Sequence, residues 1–159
     1  MADDTRPESD EAVAPFVDAA APFADAPGAE WIAPAPPASE LPRHVDKPWG
    51  AEEIWAWTTR YVGKTLTIEA GKRLSLQYHE RKDEWVHVLE GRLLLTLGGD
   101  DGVLAQRELG PGDGAHVATG RVHRYEALER CRLVEVSTPE LDDVVRIEDD
   151  FGRAGTSAP

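Results

Sequence analysis

The sequence predicts an all-β fold, a single small barrel behind an acidic N-terminal tail. Three observations predict it. From Leu41 onward the chain breaks into apolar-rich runs of six to ten residues, divided by Gly, Pro and Asp turns. Within several runs the apolar residues alternate with polar ones, and no long helical period appears. The length of 159 residues suits one domain of ordinary size plus an excess.

The excess lies at the start. Residues 1–40 hold 12 Ala and 7 Pro, with nine acidic residues against one basic, Arg6. Proline interrupts every apolar run, so this stretch buries too little apolar surface to offset the entropy of ordering. We expect residues 1–40 to be a disordered acidic tail, residues 41–153 the folded domain, and residues 154–159 a disordered C-terminus. The acidic start (Asp3, Asp4) lacks the positive region of a signal peptide, and no apolar run approaches the roughly 20 residues that span a membrane.

The expected strands follow in order. EEIWAWTT (52–59), YVGKTLTIEA (61–70), RLSLQYH (73–79), EWVHVLEG (84–91) and RLLLTLGG (92–99) come first. VLAQREL (103–109), AHVATG (115–120), HRYEAL (123–128) and CRLVEVST (131–138) complete the set. LGGDDG (97–102) supplies a hairpin turn, and LGPGDG (109–114) a tight connection set by Pro111 and its glycines. LDDVVRIEDDFGR (141–153) fits either a short helix or an irregular cap.

Alternation also places side chains. In RLSLQYH, Leu74, Leu76 and Tyr78 are expected on one face, with Arg73, Ser75, Gln77 and His79 on the other. Gln77 and His79 then project the same way, roughly 7 Å apart at Cα, close enough to converge on one ion. Glu84 shares its face with Val86 and Val88, so a carboxylate points into an apolar interior. It needs a partner or a metal there.

Gly71, Gln77, His79, Glu84 and Gly91, at their spacing, resemble the first motif of the cupin family, with Gln77 where most cupins carry a histidine. PGDGAHVATGRVH (111–123) resembles the second motif through Pro111, Gly112, Gly120 and His123. The resemblance implies a cupin, a small jelly-roll β-barrel, with one divalent metal held by Gln77, His79, Glu84 and His123. That ligand set is similar to the phosphomannose isomerases. KPWGAEE (47–53), RLSLQYH, HRYEA (123–127) and LDDVVRIEDDFGR are similar to their type II branch, in which an isomerase cupin forms the C-terminal part of a longer enzyme. Nothing here resembles the sugar nucleotidyltransferase half, so nucleotide transfer is not expected. Type II relatives typically carry arginine where Lys82 stands, and a point charge holds a phosphate differently from a guanidinium fork.

The implied activity is interconversion of mannose 6-phosphate and fructose 6-phosphate, in which a metal polarises the carbonyl while a proton moves between C1 and C2. The mixed N/O set without thiolate suits zinc first, with cobalt, manganese, nickel or iron(II) as the other candidates. The resemblance implies Lys82, Arg124 and Arg146 as the substrate or phosphate contacts, with Arg73 a weaker one; no residue stands out as the general base. Two rivals are a non-catalytic sugar- or sugar-phosphate-binding cupin and a metal oxygenase built on His79, Glu84 and His123.

The tail carries −8 of the net −13; residues 41–159, with 21 acidic and 16 basic residues, carry −5. A net-negative domain without a basic stripe argues against nucleic acid as partner. A single cysteine, Cys131, forms no internal disulfide and fits a cytoplasmic protein. A sheet edge near residues 52–59 offers a route to a homodimer.

Overall fold

The computed structural model describes residues 34–153, so most of the expected tail and the expected disordered C-terminus lie outside the described residues. A 3-10 turn at Ala38–Glu40 leads into the strands. These are β1 (Arg43–Lys47), β2 (Gly50–Trp57), β3 (Val62–Ile68), β4 (Leu76–Tyr78), β5 (Glu84–Glu90) and β6 (Leu93–Gly98). Then come β7 (Leu104–Leu109), β8 (Gly114–Val117), β9 (His123–Ala127), β10 (Cys131–Ser137) and β11 (Val145–Glu148). All pairings are antiparallel. One sheet runs β1-β2-β3-β10-β5-β8 and the other β11-β4-β9-β6-β7.

Alternation decides which face of each strand is covered. In β5, Glu84, Val86 and Val88 are buried while Trp85, His87 and Leu89 are exposed. In β10, Cys131, Leu133, Glu135 and Ser137 all face inward. The two inner faces meet in a core that includes Leu66, Ile68, Val86, Leu93, Tyr125 and Leu133. Burying each such aliphatic side chain contributes about 1.5–3 kcal/mol.

Two local devices shape the interior. On β2 a bulge lies between Ile54 and Ala56 opposite Lys64 and Gly63. The extra residue, Trp55, turns outward across Gly63, where an added Cβ would come within 2.4 Å of the indole. The shift lets Glu52, Ile54 and Trp57 all line the interior although their spacing is two and then three. Between β5 and β6, Gly91 has φ +79°, and an added Cβ would lie 2.1 Å from the Arg130 carbonyl oxygen. Only glycine fits a left-handed residue pressed so closely on a neighbouring backbone.

Four expectations are corrected. Residues 50–57 do not form an edge, because β1 pairs along them; the polar run RHVDK of β1 gave no apolar signal. The segment VRIE is neither helix nor irregular cap but strand β11, paired with β4. Regular strand geometry in RLSLQYH is confined to Leu76–Tyr78, so alternation does not reach back to Leu74, which lines the same cavity as Ser75 and Gln77. Arg73 points outward and pairs with Asp150 at 2.6 and 3.0 Å.

Candidate metal centre

Both sheets contribute to one buried cluster. Gln77 lies on β4 opposite His123 of β9, and His79 follows just beyond the end of β4. Glu84 opens β5 in the facing sheet. His79, Glu84 and His123 each keep 1–2% of their surface exposed, and one donor atom from each lies within 4.8 Å of the other two. His79 Nε2 is 3.6 Å from Glu84 Oε2, and His123 Nε2 is 3.3 Å from Glu84 Oε1.

The imidazoles are oriented from behind. His79 Nδ1 donates to the backbone carbonyl of Asp143, and His123 Nδ1 donates to that of Arg121 at 3.0 Å. Both Nε2 lone pairs therefore face the cluster, the orientation that metal-binding histidines take when a carbonyl fixes their tautomer. His79 Nε2 is buried without a hydrogen-bond partner, a costly state that a metal bond would relieve. Burial, followed by the Lys82 ammonium, lowers the His79 pKa, which keeps the ring neutral and ready to coordinate.

Glu84 is the anion of the set. Burial alone would push its carboxyl up, but the Lys82 ammonium beside it overcomes that and holds it well below the usual carboxylate range. Its Oε1 accepts from the Tyr125 hydroxyl at 2.8 Å, and its Oε2 from Lys82 Nζ. Gln77 lies beside the triad, its Nε2 3.5 Å from His123 Nε2 and its Oε1 accepting from Ser75 Oγ at 2.6 Å. Ligation through the amide oxygen requires exchanging the two ends, and Ser75 Oγ then serves as acceptor to Nε2. Two neutral imidazoles, a carboxylate and an amide at a buried point fit a divalent metal of the zinc-to-manganese range.

Gln77, His79 and Glu84 of this cluster line a cavity that opens to solvent. Trp49, Trp57, Leu66, Leu74, Leu141 and Val144 form its apolar wall. Six cations (Arg43, Lys47, Lys64, Lys82, Arg146, Arg153) line it against three carboxylates (Glu52, Glu84, Glu135). This excess of positive charge sits inside an acidic domain and selects for anions. An alternating chain runs along the wall from Glu84. Lys82 Nζ reaches Glu135 at 2.7 Å, Lys64 Nζ reaches Glu135 at 3.0 Å and Glu52 at 4.0 Å, and Lys47 reaches Glu52 at 3.7 Å.

The expected substrate contacts separate here. Lys82 and Arg146 line the cavity, although Lys82 is engaged by two carboxylates. Arg124 does not. It follows His123 by one residue on a strand and so points to the opposite face, where it meets Glu148 at 3.1 Å. Sequence reading missed Tyr125, Glu135, Arg43, Arg153 and the anchoring role of Asp143. Glu135 was detectable, since the alternation that turned Glu84 inward applies equally to CRLVEVS.

A two-sheet antiparallel barrel with two histidines and a carboxylate gathered between its sheets defines a cupin with a candidate metal centre. Residues 64–137 match the model of the cupin domain family, and this part of the chain belongs to it. Among curated proteins it is 34% identical to the mannose-1-phosphate guanylyltransferase ManC of Salmonella typhimurium over 117 residues, covering 70% of this chain and 23% of that one. It is 31% identical to the xanthan biosynthesis protein XanB of Xanthomonas campestris, covering 70% and 24%. The chain thus spans about a quarter of the length of these relatives. Among solved structures, KdgF from Halomonas sp. superposes with a TM-score of 0.55 at 24% identity, over 63% of this chain and 88% of that one. Oxalate decarboxylase from Bacillus subtilis gives 0.60 at 14% identity, over 68% and 30%. These two likenesses bear on the fold. Among the described residues, no helix is long and apolar enough to cross a membrane.

Proposed function

We propose that this cupin is a metal-dependent aldose–ketose phosphate isomerase acting on mannose 6-phosphate and fructose 6-phosphate. The observation that carries the reading is the buried His79–Glu84–His123 cluster, with Gln77 beside it, whose Gln77, His79 and Glu84 line a cation-rich cavity. Kinship with mannose-1-phosphate guanylyltransferases supports a phosphorylated mannose as ligand. Cytoplasm is the setting we assign, consistent with a lone, unpaired cysteine.

His79, Glu84, His123 and Gln77 would hold the ion, which supplies a Lewis acid for a carbonyl and for the charge that develops on it. Arg43 and Arg146 offer donors to a phosphate, and Arg153, held by Asp149 at 2.6 and 3.2 Å, also lines the cavity. Trp49 and Trp57 give part of the wall an apolar surface. A proton must leave one carbon and return to its neighbour. Of the lining carboxylates, Glu84 belongs to the ligand set and Glu135 is bound by two lysines. Glu52, with lysine contacts of 3.7 and 4.0 Å, is the one we assign to that transfer.

The test is a coupled assay with mannose 6-phosphate on metal-stripped protein, with Zn, Co, Mn, Ni and Fe(II) restored one at a time. Metal-restored formation of fructose 6-phosphate is expected. Turnover that survives in a combined Gln77→Ala, His79→Ala, Glu84→Ala, His123→Ala variant contradicts the reading. Ligand-dependent stabilisation without turnover makes the protein a binding cupin instead, and oxygen uptake with Fe(II) makes it an oxygenase.

A further inference from the structure

We infer that Glu135, which is outside the ligand set, is a positioning residue for the metal centre and acts through Lys82. The inference rests on the metal reading above. Glu135 stands on β10 between Val86 of β5 and Lys64 of β3, so it faces the interior between the strand that carries Glu84 and the strand that carries Lys64. Only 3% of its surface is exposed. Its Oε1 takes Lys82 Nζ at 2.7 Å and Lys64 Nζ at 3.0 Å.

The consequence falls on Glu84. Lys82 Nζ also contacts Glu84 Oε2, the oxygen nearer His79. An ammonium has three N–H donors, and here they are divided between two carboxylates. Lys82 and Lys64 balance Glu84 and Glu135, so the buried group is neutral before any ion enters. Without the Glu135 charge, Lys82 has Glu84 as its only carboxylate contact. It would then settle on the carboxylate that the ion needs, and the site would also gain a positive charge. Both effects oppose a cation. Glu135 thus keeps Glu84 available as a ligand, and Lys64 balances the second carboxylate.

The test is calorimetric titration of the full-length chain with Zn(II), repeated for Glu135→Gln, Lys82→Met and the double variant. Glu135→Gln should weaken zinc binding by about 10–100-fold, the usual cost of losing a partner behind the ligands. The double variant should return to within roughly threefold of the unaltered chain, since no ammonium remains to compete. That rescue is the readout a merely structural role would not give. Zinc affinity unchanged in Glu135→Gln, or a double variant as weak as the single, overturns the inference. If Glu135→Gln does not fold, Lys82→Met decides: affinity at or above that of the unaltered chain supports it, and a tenfold loss overturns it. Failure of the unaltered chain to bind Zn(II), Co(II) or Mn(II) overturns the metal reading itself. That outcome is distinct from a chain that binds zinc and is indifferent to Glu135.

Discussion

His79 and Asp143, 64 residues apart in sequence, hold each other in place: the imidazole Nδ1 donates to the backbone carbonyl of Asp143. The Asp143 carboxylate in turn accepts backbone N–H groups from Glu80 at 3.1 Å, Arg81 at 2.6 Å and Lys82 at 2.8 Å. One aspartate therefore fixes the ring of a ligand and the loop between two ligands. Asp143→Ala should cost about 1–3 kcal/mol of stability by leaving buried donors unpaired. It should also weaken zinc binding by about 10–100-fold. Urea unfolding and zinc titration check the two effects separately.

The same carboxylate sets an acid limit. Burial raises its pKa, but the three N–H donors outweigh burial and hold it below its ordinary value of 3.8. Its folded pKa lies below its unfolded one, so its contribution is fully present above the unfolded value. It is lost as pH falls through 3.8 toward the folded value. Asp149, held down first by its hydrogen bond from Arg153, has the same sign. Urea midpoints should be level with respect to these two groups from pH 7 to 5 and fall below pH 4, less steeply in Asp143→Ala.

Much of the site was legible because strand alternation is a strong constraint. It turned Glu84 inward with Val86 and Val88, and it set Gln77 and His79 on a shared face. His123 came only through the second motif, since nothing local marks a strand histidine as a ligand. The same rule removes Arg124, because neighbours in a strand point to opposite faces. The family resemblance had suggested otherwise. β1 escaped notice because an edge strand can be polar, and β11 because four residues with half-buried faces carry no clear period. The Asp143 anchor was illegible for another reason: it is a backbone carbonyl, and its position depends on a pairing between β11 and β4 that no local pattern encodes.

Glu52 gives the most direct check on proton transfer. Glu52→Gln keeps the shape of the side chain and removes the base. We expect turnover of mannose 6-phosphate to fall by about 10²–10⁴-fold. Zinc content should be unchanged, because Glu52 reaches Lys47 and Lys64 and no metal ligand. Steady-state rates with metal analysis of the same samples separate the two.

Cys131 is structural. Its side chain is fully buried in β10, and burial pushes the thiol up to about 11. Without thiolate it is a poor nucleophile. A chromogenic disulfide reagent at pH 8 should leave the folded protein unmodified and label one thiol per chain in denaturant.

The central claim is that His79, Glu84 and His123 form a metal centre. The measurement that tests it most directly is the metal content of the full-length chain after loading with Zn(II) and removal of free ion. The account predicts one zinc per chain, lost in His79→Ala and in Glu84→Gln while both variants remain folded. No retained zinc in the unaltered chain, or zinc retained equally by both variants, would contradict it.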